Sequence, residues 1–175
     1  MKRIYFAGKF DLSGAGETLA DRLRPDYRSA LLGDSRLLTH ASHDLRLPGR
    51  QLIYQGCFYC EEASAGDFTS TDCDAVVRAE TAEILDSDVF CCVLDGSFSV
   101  GSVVELMDAL HAGKRVAIFY QTEATRYAIR SEYWFAITRA MHLARERGLT
   151  LELFCYEDDP LPLLCTWLER LEMDG

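Results

Sequence analysis

The sequence predicts an α/β protein of three layers, with helices on both faces of a parallel sheet of about five strands. Three observations point there. Short apolar runs alternate along the chain with longer stretches of helical pattern. One run, "VFCCVLDG" at 89–96, is almost unbroken in apolar residues, as a strand covered on both faces requires. The 175 residues, 49% hydrophobic and 26% charged, suit one core of ordinary size, so a single domain over 1–175 is expected.

Each element has a local reason. "KRIYFAG" (2–8) is a first strand closed by Gly8. "ETLADRLRPDYRSALL" (17–32) is helical on either side of Pro25, which breaks or kinks it, and Gly33 ends it. "RLLTH" (36–40) is a candidate strand, and 41–71 is irregular, with "LPGR", "QGCFYC" and "ASAGDFTS" as loop material. Long loops in compact domains are often functional. "STDCDAVVRAETAEILDSD" (70–88) opens on Ser, Thr and Asp as capping residues and continues as a helix. After the strand at 89–96 come a helix over 102–111 and the strand "RVAIFY" (115–120). "SEYWFAITRAMHLARERG" (131–148) is a long helix that Gly148 stops. "LTLELFCY" (149–156) and "LPLLCTWLERLEM" (161–173) are the last strand and helix. Such alternation is Rossmann-like, of the flavodoxin-like kind.

Charge and composition narrow the function. A net charge of −10, from 28 acidic and 18 basic residues, opposes broad contact with a phosphate backbone, so no nucleic acid partner is expected. No apolar run reaches the roughly 18–20 residues that span a bilayer, and the opening apolar stretch is too short for a signal peptide. Seven cysteines, an odd number scattered through core-like segments, suit free thiols in a reducing compartment, hence the cytoplasm.

In open parallel sheets, ligands bind beyond the carboxyl ends of the strands. Glu105 lies on that edge, in the first turn of the helix expected after "DGSFSVGS". Two readings compete for it. "SVVE" from Ser102 matches a capping box, in which the serine caps the helix and the glutamate bonds back to it. Alternatively, the positive helix start keeps Glu105 ionised for attack on an electrophilic carbon. Glu80 falls in one helical row with Val76 and Ile84, so it stands at the edge of an apolar stripe or is partly buried. If buried, it must be paired or carry a proton. Tyr5 alternates against Ile4 and Phe6 in the first strand, where it either packs or orients a carboxylate at the strand edge.

These segments together resemble the nucleoside 2-deoxyribosyltransferase family, including its relatives that hydrolyse deoxynucleoside 5′-monophosphates. The resemblance rests on "IYFAG" (Ile4 to Gly8), on Glu80 eight residues before Asp88 of "SD", and on "VLDGSFSVGSVVELMDALHAGKRVAIFY" (93–120). It implies that Glu105 attacks C1′ of a deoxyribose, that Tyr5 holds Glu105, and that Glu80 helps protonate the leaving base. The implied activity is N-glycosidic cleavage through a glycosyl-glutamate intermediate, with transfer to another nucleobase. Hydrolysis of nucleoside monophosphates is the alternative, favoured by Ser99 where transferases commonly carry aspartate. The resemblance also implies a small nucleoside or nucleotide substrate and a homodimer or larger homo-oligomer, and no cofactor is expected. Ser99, Gly101 and Ser102, with Asp95 and Gly96 before them and Gly8 and Lys9 after the first strand, are the substrate-binding candidates. A non-catalytic nucleotide sensor is the rival from another class.

Other patterns are weaker. His40 and His43, with Cys57 and Cys60, have zinc-ligand spacing within each pair but no second CxxC, so no metal site is expected. No GxGxxG follows the first strand, and no GxSxG occurs. Tyr133, Trp134 and Phe135 form an aromatic cluster suited to the core, to a subunit interface or to a wall of a base pocket.

Overall fold

The computed structural model describes residues 1–8, 45–46, 51–56, 70–94, 100–121 and 133–174. Its elements are β1 (Lys2–Ala7), β2 (Leu45–Arg46), β3 (Leu52–Gly56), α1 (Ser70–Asp86), β4 (Val89–Leu94), α2 (Val100–His111), β5 (Arg115–Gln121), α3 (Trp134–Arg147), β6 (Leu151–Tyr156) and α4 (Leu161–Met173). The sheet order is β2-β3-β1-β4-β5-β6. Five strands run parallel, and β2 pairs antiparallel on the outer side of β3. This is the expected α/β class with the strand order of the flavodoxin-like type.

Strand alternation builds the layers. On β4, Val89, Cys91 and Val93 join one core, while Phe90, Cys92 and Leu94 join the other. The first core packs Ile4, Phe6, Ala117 and Phe119 against Leu164, Trp167, Leu168 and Leu171 of α4. The second packs Tyr5, Ala7, Val116 and Ile118 against α1, α2 and α3 through Ile84, Leu106, Leu110 and Leu143. Helices therefore cover both faces, and β4, with all six residues buried, is the central run that its apolar composition demands.

Two sequence expectations change. The strand beside β1 is Leu52–Gly56, inside the 41–71 stretch read as irregular, while 36–40 and the helix expected over 17–32 lie outside the described residues. Five residues pairing in register from Lys2↔Leu52 to Phe6↔Gly56 satisfy β3, although its sequence is too short to announce a period. The helix expected from Ser102 begins at Val100, so Ser102 is a buried residue of its first turn and not its cap. Gly148 does end α3, in the left-handed region at φ 66°, with Leu149 N–H closing on the Ala144 carbonyl at 2.8 Å.

Helices that run against the strands bring their carboxyl ends to the amino edge of the sheet, and cations from other elements meet them there. Lys114 Nζ donates to the carbonyls of Leu85 and Ser87 just at and beyond the end of α1, at 2.6 and 2.7 Å. Arg147 donates to Leu110 and His111 of α2, both at 2.8 Å, and Lys2 donates to Leu171 of α4 at 2.7 Å. These bonds satisfy carbonyls that the helices leave open and favour the negative end of each dipole. Among the described residues no helix is long and apolar enough to cross a membrane.

Candidate active site

The chain reverses its direction of travel across the sheet between β1 and β4, since β1 leads outward to β3 and β4 leads the other way to β5. Such a switch point leaves a crevice at the carboxyl ends of the two strands. Tyr5 comes from β1 and Glu105 from α2, the helix that follows β4, so the two straddle it.

The tyrosine hydroxyl donates to Glu105 Oε1 at 2.8 Å, a buried side-chain bond across 100 residues of sequence. Tyr5 is fully buried, and its ring lies parallel to that of Phe90, its register partner on β4, with centroids 5.4 Å apart. Glu105 is 8% exposed. Among the described residues its other oxygen, Oε2, has no hydrogen-bond donor. A buried carboxylate oxygen left so costs roughly 1–3 kcal/mol, more when charged.

Burial raises Glu105 to about 7, partly offset by the Tyr5 hydrogen bond and pushed up again by the charge of Asp108. The capping-box reading of Glu105 does not hold, because Ser102 is inside the helix and Glu105 lies in the second turn. Nor does the helix start keep it strongly ionised, since burial outweighs that field.

Glu80 of α1 is the second carboxyl of the site. It is partly buried, so the second of the two readings open for it is the one observed. Burial, and then the negative charge of Glu105, raise it to about 8. Two carboxyls that feel each other titrate as a pair. Burial holds both carboxyls above the ordinary carboxylate range, Glu80 the higher of the two. One acid and one base from two glutamates is the pattern that acid–base chemistry needs near neutral pH.

The floor of the site is β4. Cys92 is fully buried, and its thiol, held neutral by burial and by the charge of Glu105, lies 3.9 Å from the Ser102 carbonyl. Neither Phe90 nor Cys92 stood out as a site residue in the sequence, yet the odd–even alternation that exposes Tyr5 to one face puts both on that face. Glu83, one turn beyond Glu80, is a further buried carboxyl that the sequence reading passed over.

The substrate-binding candidates divide. Gly8 ends β1 beside β4, where an added Cβ would meet the Val93 carbonyl at 3.5 Å. Gly101 is the second residue of α2, with open space where a Cβ would stand, and the next residue, Ser102, is buried. Lys9, Asp95, Gly96 and Ser99 lie outside the described residues, as do His40, His43, Cys57 and Cys60. Among the described residues no group of three His, Cys, Asp or Glu side chains could hold a metal ion. Of the aromatic cluster, Tyr133 is buried, whereas Trp134 and Phe135 are exposed and meet edge to face at 5.7 Å. A cavity of about 820 Å³, lined by Lys2, Asp88, Arg115 and Leu171 among others, lies at the opposite, amino edge of the sheet and includes none of the expected site residues.

No protein-family model matches the chain, and no curated protein does. Among solved structures, the chain is similar to a CMP N-glycosidase of Clostridium botulinum, BcmB. The two are 13% identical over 99% of this chain and 100% of that one, with a TM-score of 0.44. A similarity this distant says nothing about chemistry, which rests on the side chains themselves.

Proposed function

We propose that this protein cleaves the N-glycosidic bond of 2′-deoxynucleosides through a glycosyl-glutamate intermediate and passes the deoxyribosyl group to a second nucleobase. One observation carries the reading: Tyr5 fixes one oxygen of Glu105 and leaves the other, itself buried, without a donor among the described residues, while burial raises the second carboxyl, Glu80. Most buried side-chain oxygens have a hydrogen-bond partner, so one without is a place where a ligand can be accommodated.

In the first step Oε2 of Glu105 forms a bond to C1′ as the C1′–N bond breaks. The bonding pair leaves with the base, and Glu80 supplies the proton that neutralises it. Tyr5 keeps Oε1 occupied, so attack is directed through Oε2. In the second step a nitrogen of an incoming base attacks C1′, frees the Glu105 carboxylate and returns a proton to Glu80. Both steps invert C1′, giving net retention, as in retaining glycosidases.

Mass spectrometry after incubation with 2′-fluoro-2′-deoxynucleosides tests the reading, since the fluorine slows release of the sugar. The expected result is a fluorodeoxyribosyl adduct on the peptide that contains Glu105, and its loss in Glu105→Gln together with a fall in turnover of roughly 10³-fold or more. Turnover without an adduct, across nucleosides and their monophosphates, rejects the covalent path. A second free base in the mixture separates the outcomes: exchanged nucleoside means transfer, and free sugar means hydrolysis.

A further inference from the structure

We propose that Phe90 is a positioning residue of the site: its ring sets the plane of Tyr5 and thereby aims the Tyr5 hydroxyl at Glu105. Its consequence for catalysis rests on the glycosyl-transfer reading above, whereas the geometry stands without it. Tyr5 and Phe90 are register partners on adjacent parallel strands, both wholly buried and both on the face that α2 covers. Their rings are stacked, 8° from parallel. The hydroxyl of a tyrosine lies on the axis about which its ring turns, so what moves it is a tilt of the whole ring about Cα–Cβ, which the stacked neighbour resists. Roughly 15° of tilt moves it by about 1.5 Å, more than a hydrogen bond tolerates. The bond at stake is the 2.8 Å contact to Oε1.

The groups near Glu105 are Glu80 from α1, Asp108 from its own helix and Cys92 from β4, beside Tyr5 from β1. Neither carboxyl can donate to it as a charged group, and Asp108 opposes its charge. Cys92 lies against the Ser102 carbonyl. Tyr5 is the one described donor to Glu105, and Phe90 is the ring it rests on.

The experiment follows the Glu105 carboxyl directly, by carbon NMR titration of glutamate-labelled protein with Glu105 assigned by substitution. It uses the wild type, Tyr5→Phe, Phe90→Leu and the double variant. Losing the Tyr5 bond raises the Glu105 midpoint above about 7. Phe90→Leu keeps an apolar side chain but removes the flat surface, so it should raise that midpoint by about half a pH unit or more. It should add nothing further once Tyr5 is already phenylalanine, which is the signature of action through the tyrosine. Phe90→Met gives the same comparison should the leucine variant not fold.

An unmoved midpoint in a folded Phe90 variant overturns the proposal. So does an equal shift with and without the Tyr5 hydroxyl, which would mean general loosening of the core. No substrate is needed, so the two readings fail separately. A protein that shows the expected midpoints but forms no sugar adduct loses the glycosidase reading and keeps Phe90 as the residue that aims Tyr5.

Discussion

Glu105 and Glu80 must be in opposite protonation states for the proposed first step, and the burial that raises both, Glu80 the further, sets that order near neutral pH. Glu105 becomes charged above about 7, and Glu80 loses its proton above about 8. The pH profile of kcat is therefore expected to be a bell with its maximum between those values. In Glu80→Gln the basic limb should vanish and the rate fall by about 10²–10⁴-fold, the usual worth of a general acid. The pair also gives a check that needs no turnover. Burial and then the charge of Glu105 hold Glu80 up, so Glu105→Gln should lower the Glu80 midpoint below about 8 by NMR titration. At this scale the sequence was partly legible. The face of Tyr5 follows from alternation with Ile4 and Phe6, and the structure agrees. Whether Glu80 was buried could not follow from its helical row, because a row at the edge of a stripe has the same spacing as one inside it. The bond between Tyr5 and Glu105 joins residues 100 positions apart, a distance over which local pattern carries no information.

Among the elements, α2 carries Glu105 and is held at its carboxyl end. Its carboxyl end is tied by Arg147, which reaches from the end of α3 to the Leu110 and His111 carbonyls. Arg147→Met should lower stability by about 1–2 kcal/mol, the worth of two charge-assisted bonds to a helix end, and lower the urea midpoint without changing the slope. Lys114→Met should do the same for α1, whose terminal carbonyls it meets. The starts of helices were less legible than their ends. Gly148 announced the stop of α3 because the left-handed turn it makes admits few other residues. Ser102, by contrast, imitates a cap: "SVVE" satisfies the spacing, but α2 already begins two residues earlier at Val100. β3 escaped for another reason. Its pairing with β1 is long-range, and Leu52 and Ile53 are too few to establish an alternation.

Among the described residues of the whole molecule, cations close helix ends at the amino edge, and the raised carboxyls Glu80 and Glu105 lie near the crevice between β1 and β4. That placement has a thermodynamic consequence. Glu105 and Glu80 both titrate higher in the folded chain than the ordinary 4.5 of an unfolded glutamate. Between about pH 5 and pH 7 the folded state therefore holds protons that the unfolded state has released, and stability must fall as pH rises. It is fully present below the unfolded value and is lost as pH passes through the folded ones, near 7 and 8. With both groups protonated only when folded, the slope reaches about 2.7 kcal/mol per pH unit. The net charge of −10 works in the same direction, since its self-repulsion also grows with pH, so the slope alone does not identify the source. Removing the two titrations does. Urea unfolding of Glu80→Gln/Glu105→Gln at about pH 5.5, 6.5 and 7.5 should show a much flatter dependence than the wild type and greater stability at the highest pH. A double variant as steep as the wild type would assign the effect to the surface charge and show that these two side chains do not carry their protons into the folded state. A flattened curve would mean that the protein gives up stability near neutral pH to keep two acidic groups inside one crevice, a cost with no structural return unless something binds there.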